Sequence, residues 1–260
     1  MVDVWEGDSE GTRRYSKHII EKTGDWERLP ILDPGAPHLS AQLACLRLIR
    51  SLLGPQVPIL QTIFSPLAQA KNLVGKADLI AHLRQAPEAV IKGLEIIAET
   101  TRRFVEAALE TGIDGIFYAI QHAQAGLLSL EEYQTFGLPH DRMVMEPASG
   151  LWCNMLHLHG LNIHFDLVHD LSFPIVNWHD RETSPSLQEA RGFAGSPTLC
   201  GGINQKTILF GDSSDVRKEA ADAIARTGGR RFILGTGCVT PVIAPHGNLL
   251  AARQSVEKER

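Results

Sequence analysis

Short apolar runs alternate with helix-length amphipathic stretches along most of the chain. The runs occupy residues 57–64, 115–120, 151–158, 174–178, 198–203 and 231–234. They are brief and nearly uninterrupted, as strands covered on both faces of a parallel sheet are. Between them, residues 41–53, 77–109, 130–148, 187–193 and 214–227 carry helical spacing. Ser129 with Glu132 and Ser186 with Glu189 match the capping box that opens helices. Gly54, Gly112 and Gly228-Gly229 stand where helices should stop, and Pro87 divides 77–109 into two helices. Residues 1–37 are polar and turn-rich and contain no strand–helix unit.

Strands and helices in alternation leave two α/β architectures, a doubly wound sheet or a (β/α) barrel. No run is followed by GxGxxG or GxxxxGK[ST], which removes the usual nucleotide-binding case for the first. The runs instead end in polar groups: Ser65 after the first, Gln121-His122 after the second, His179-Asp180-Arg181-Glu182 after the fourth, Asn204-Gln205 after the fifth. Polar residues at strand C-termini are what a barrel mouth requires. The expected fold is therefore a TIM-like (β/α)8 barrel in one domain over residues 1–260, with 1–37 irregular. Six strands are visible where eight close that barrel, so the barrel is expected to lack its first strands, with either residues 1–37 or a homodimer covering the unpaired parallel edges.

The sharpest chemistry lies in the third and last runs. His157 and His159, one residue apart near a strand end, share a face about 7 Å apart, and Gly160 follows. The run at 231–234 leads through Gly235-Thr236-Gly237 to Cys238. Imidazole and thiolate are preferred zinc ligands, so His157, His159 and Cys238 form a candidate metal set if these ends are neighbours. A lone strand histidine is usually structural; the pairing and the strand-end position set ligation level with that structural role. His122 is a candidate acid/base or a hydrogen-bonded rim residue. His179-Asp180 is either an imidazole with an orienting carboxylate or part of a solvated loop. Gln61 and Asn204 lie at the same rim and complete the substrate-binding candidates with His179, leaving His122 and Asp180 as catalytic ones. Cys153 and Cys200 sit within apolar runs and read as small core residues, with Cys200, just before Gly201-Gly202 near the rim, kept as a reserve ligand.

Composition narrows the function classes. The net charge of −5 carries no polyanion-binding signature, which argues against nucleic acid. No apolar stretch reaches the length of a membrane span, and no charged-then-apolar leader opens the sequence. Four cysteines without close spacing point to a reducing, cytoplasmic setting rather than a disulfide scaffold.

These segments together resemble the uroporphyrinogen decarboxylase superfamily over roughly residues 5–257. Arg230-Arg-Phe-Ile-Leu-Gly-Thr-Gly-Cys-Val-Thr-Pro with Pro245 and Asn248-Leu-Leu is similar to its C-terminal signature. Pro58-Ile-Leu-Gln-Thr-Ile-Phe-Ser-Pro-Leu, Gly112-Ile-Asp-Gly-Ile-Phe, Val176-Asn-Trp-His-Asp and Gly201-Gly-Ile-Asn-Gln follow in the order of its strands. The resemblance implies a (β/α)8 barrel and one of two chemistries, decarboxylation of porphyrinogens or zinc-dependent methyl transfer with corrinoid or thiol carriers. Two decarboxylase features, an arginine-rich segment and a strand ending Phe-Ser-Asp-Ile-Leu, would precede Val4 and are absent. Methyltransferase members resemble His-x-Cys-Gly with a later Gly-Cys-x-x-Pro; here these positions read His157-Leu-His159-Gly160 and Gly237-Cys238-Val-Thr-Pro241. Histidine for the first cysteine keeps a zinc ligand but donates less charge. Zinc-dependent methyl transfer, with zinc as cofactor and a corrinoid as methyl carrier, is the leading expectation. Decarboxylation of a uroporphyrinogen-like tetrapyrrole and a non-catalytic tetrapyrrole-binding barrel are the alternatives, all acting on small molecules away from membranes and nucleic acids.

Overall fold

The computed structural model describes residues 2–8, 13–193, 195 and 197–257. The ends of the expected 1–260 domain and residues 9–12 of its N-terminal segment lie outside these. Two compact units emerge, one built on Tyr15–Leu156 and one from His157 onward, with the first 14 residues divided between them. Near the N-terminus β1 (Val2–Val4) and β2 (Arg14–Lys17) form a two-stranded sheet.

The first unit contains β3 (Leu60–Phe64), β4 (Gly115–Ile120) and the start of β5 (Met155–Leu158), with α1 (Pro37–Leu53), α2 (Pro66–Val74), α3 (Lys76–Gln85), α4 (Pro87–Leu109), α5 (Leu130–Phe136) and α6 (Leu138–Met145). β3 pairs with β4 in parallel, Leu60 opposite Gly115. Its strand begins only at Leu60, later than the apolar run, because Pro58 has no N–H to give a ladder and Arg50 ties down the Gly54 and Val57 carbonyls. Pro87 separates α3 from α4 as its ring and missing N–H require. The 130–148 stretch breaks into α5, α6 and a 3-10 turn at Glu146–Ala148: Gly137 lies against the Tyr133 ring, where an added Cβ would come within 2.5 Å, and Pro139 restarts the helix. β5 is shorter than its apolar run because Asn154 spends its side chain on backbone, accepting from Ile116 N at 3.0 Å and donating to Ala148 O at 2.7 Å. Within residues 1–37, a 3-10 turn at Thr23–Arg28 inserts a fully buried Trp26 against Gly93 of α4.

The second unit contains the end of β5, β6 (Ile175–Trp178), β7 (Thr198–Ile203) and β8 (Phe232–Thr236), with α7 (Leu167–Leu171), α8 (Leu187–Arg191), α9 (Gln205–Phe210), α10 (Ser213–Thr227) and α11 (His246–Gln254). β6, β7 and β8 run parallel, Asn177 opposite Cys200 and Cys200 opposite Ile233. Ile203, Ile208, Val216 and Ala251 form a buried cluster on which Leu234 packs. Both expected capping boxes form: Ser129 and Ser186 accept from the backbone N–H groups of Glu132 and Glu189. Asn204 does the same for α9, a short helix the sequence pattern did not suggest.

The main sheet thus holds six strands in sequence order, each followed by helix. Among the described residues this is the α/β, parallel-stranded order of a (β/α) barrel, in six strands. Among the described residues no helix is long and apolar enough to cross a membrane.

Candidate metal centre

Four side chains of the second unit converge at strand ends. His157 sits on β5, with His159 just beyond it. His179 follows β6, and Cys238 follows β8. One donor atom from each lies within 4.8 Å of every other. Cys238 Sγ is 3.5 Å from His157 Nε2 and 3.4 Å from His159 Nδ1. The imidazole ring centres are 5.2 to 6.1 Å apart.

Local chemistry explains how the chain reaches this arrangement. Gly160 adopts φ +101°, so the backbone can turn immediately after His159. Gly237 passes against the end of β6, where an added Cβ would fall 2.8 Å from Trp178 O and 2.9 Å from His179 Cα. That approach brings Cys238 alongside His179. The Thr236 hydroxyl closes the turn by donating to Cys238 O. Asn177, in β6, places its Oδ1 2.6 Å from His157 Nδ1.

The electrostatics favour a neutral imidazole at His157. His157 is 4% exposed, and burial, reinforced by His159, pulls its pKa down to about 3. His179 turns Nδ1 toward Glu182 Oε2 at 3.4 Å, leaving Nε2 buried and, among the described residues, without a hydrogen-bond partner. The Lys206 ammonium, 2.8 Å from the other oxygen, holds Glu182 below the usual carboxylate range. A carboxylate behind an imidazole, with the far nitrogen buried and unsatisfied, is how metal-binding histidines are held in orientation. The spacing agrees as well, since tetrahedral zinc sets nitrogen and sulfur ligands about 3.5 Å apart. Both the donor types and the orphaned nitrogen fit a metal ion.

The other candidate residues divide between the units. Asp180, beside His179, is buried and accepts from Gly202 N at 3.1 Å; burial raises its carboxyl to about 6. Gly201 makes room for it, because an added Cβ would meet Asp180 Oδ1 at 2.3 Å. Asn204 caps α9 through Lys206 N at 2.7 Å. It lines a small polar cleft with His179, Asp180, Arg181, Glu182 and Gly237. In the first unit Gln61 donates to Thr62 O at 2.8 Å, and His122 is buried just after β4. Cys200 lies outside the donor group, its thiol pushed up to about 12 by burial. Sequence reasoning assigned His179 to substrate; its place at a strand end was the available signal that it belongs beside His157. Asn177 and Glu182 stand in segments the sequence singles out, but no role for either is readable there.

Comparison with known proteins now adds the family. The chain matches the family described as Uroporphyrinogen decarboxylase (URO-D) across residues 2–259. It belongs to that family. The match thus takes in the strands of both units and all four donors. Relatives of this family member fall into both of its chemistries. It is 25% identical to a uroporphyrinogen decarboxylase of Syntrophotalea carbinolica, over 87% of this chain and 67% of the relative. It is 20% identical to the methylcobamide:CoM methyltransferase MtbA of Methanosarcina acetivorans, over 94% of this chain and 70% of the relative. In fold it is similar to a methyltransferase from Methanosarcina mazei, with a TM-score of 0.80 at 22% identity, covering 94% of this chain and 71% of that one. A B12-independent methionine synthase from Shewanella is a more distant fold neighbour, with a TM-score of 0.56 at 15% identity, covering 82% of this chain and 64% of that one.

Proposed function

We propose that this uroporphyrinogen decarboxylase family member catalyses methyl transfer from a corrinoid carrier to a small thiol, with a zinc ion held by His157, His159 and Cys238. The observation that carries this reading is the convergence of these three donors with His179, whose Nε2 is buried and unpartnered. Zinc in such a site lowers the pKa of a bound thiol and so supplies a nucleophile at neutral pH. The thiol proton passes to water, while Glu182, held ionised by Lys206, faces His179 Nδ1 and keeps Nε2 turned toward the three ligands. As the sulfur–carbon bond forms, the carrier–carbon bond breaks with its electron pair remaining on the carrier. Asn204, in the same unit as these donors, is proposed as a substrate contact. The kinship to a methylcobamide:CoM methyltransferase supports this reaction.

The decarboxylase relative favours a second reading, in which Asp180 manages protons on a tetrapyrrole. Asp180, raised to about 6, can hold a proton near neutrality as that chemistry needs. One experiment separates the two. Purified protein and its His157→Ala variant are analysed for zinc, then incubated with methylcobamide and coenzyme M, and separately with uroporphyrinogen. Stoichiometric zinc lost in the variant, with methylated thiol formed by the wild type alone, supports methyl transfer. Carbon dioxide released from uroporphyrinogen by both proteins establishes decarboxylation instead, and neither product leaves a binding barrel.

A further inference from the structure

Asn177 is an amide in the middle of a strand whose four residues are all buried, and it is itself 3% exposed. Such a group has two donors and one acceptor, each costly to leave unmade. Its Nδ2 donates to Cys200 O on β7 at 2.9 Å and to Thr236 O at the end of β8 at 3.0 Å. Both partners are carbonyl oxygens, which only accept. The reversed amide would set its oxygen against those two oxygens with no hydrogen between them, so the two strands fix which way the amide faces. Oδ1 is thereby aimed at His157 Nδ1, 2.6 Å away. An amide oxygen cannot donate, so the hydrogen in this contact belongs to Nδ1. A neutral imidazole carries one ring hydrogen, and Nε2 is left as a lone pair facing Cys238 Sγ at 3.5 Å.

We infer that Asn177 is a positioning residue that locks His157 in the Nδ1–H tautomer, so that backbone carbonyls of β7 and β8 dictate which imidazole nitrogen faces the donor cluster. The inference deepens the zinc reading and rests on it for its purpose, while the lock itself needs no metal. Asn suits the position because its flat amide faces two acceptors and one donor at once. Leucine fills similar space but gives His157 Nδ1 no acceptor. Aspartate keeps the acceptor and loses both donors.

Long-range 1H–15N spectra of 15N-histidine-labelled, metal-free protein read the tautomer directly, and competition with a chelator reads zinc affinity. The expected result is Nδ1–H at His157 in the wild type. Asn177→Leu loses that preference and binds zinc roughly 10- to 100-fold more weakly, the usual cost of removing a partner behind a ligand. Asn177→Asp retains Nδ1–H and binds zinc more tightly than the leucine variant. Nε2–H at His157 in the folded wild type overturns the inference even if no variant folds. An unchanged tautomer and affinity in Asn177→Leu overturns it equally. Nδ1–H in a protein that never binds zinc leaves the lock standing and removes the zinc reading, so the two fail separately.

Discussion

Two buried polar clusters, one in each unit, make an instructive contrast. In the first unit the Asp141 carboxylate on α6 is fully buried and accepts from Tyr118 Oη on β4 at 2.6 Å and from Tyr133 Oη on α5. Each carboxylate oxygen has its hydroxyl, and each hydroxyl has its oxygen. In the second unit His157, His159, His179 and Cys238 bring lone pairs together, and His179 Nε2 finds no hydrogen. Burial is expensive in both places. The first cluster offsets that cost internally, joining a strand to two helices. The second leaves an unmet acceptor at strand ends, where a protein–ligand bond can meet it. A buried polar group is thus a sign of function when its own neighbours do not satisfy it, more than when it is merely buried.

The largest test of this contrast is the pH dependence of stability. Burial raises Asp141 from an ordinary 3.8 to about 7, against the two tyrosine hydroxyls that favour its ionised form. Below about pH 4 folded and unfolded chains both hold the proton, and the contribution is complete. As pH rises toward 7 the unfolded chain releases its proton first, so stability falls. The gap corresponds to about 4 kcal/mol. Denaturant unfolding between pH 4 and 8 should show this decline in the wild type and lose that component in Asp141→Asn. An identical slope in both proteins would mean that the carboxylate is not held as described.

Removing one hydroxyl sharpens the same point. Tyr133→Phe leaves a buried carboxylate oxygen unsatisfied and should cost roughly 1–3 kcal/mol at neutral pH, measured by chemical denaturation, with zinc content unaltered. In the second unit the pattern should invert. Gly237→Ala forces the turn off β6, where its Cβ would meet Trp178 O at 2.8 Å, and so moves Cys238. Zinc affinity by chelator competition should fall roughly 10- to 100-fold, more clearly than stability does. A variant that unfolds readily yet binds zinc normally when folded would place Cys238 outside the donor set. The smallest effect belongs to Lys206→Ala. The pair with Glu182 is exposed on the lysine side, and its loss should change stability by less than about 1 kcal/mol.

Much of the fold was legible because apolar periodicity and breakers act locally. Pro87 ends a helix wherever it stands, and the serines at 129 and 186 cap as their spacing requires. Where side chains act over longer range, the reading failed. Asn154 shortens β5 by bonding to Ile116 and Ala148, a contact no local window contains. α9 was missed because Asn204-Gln205 reads equally well as a strand end and as a cap.

The sequence by itself determined that alternating strands and helices would form, and that His157 and His159 share a face, since strand geometry fixes alternation within a few residues. Only tertiary structure decided what meets them. Cys238 lies 81 residues from His157, and its approach depends on Gly237 fitting against β6. His179 joined them because parallel strands end at the same level, and Asn177 acquired its role from carbonyls 23 and 59 residues away. Such contacts follow from the packing of whole strands, which residue type and spacing do not encode one segment at a time.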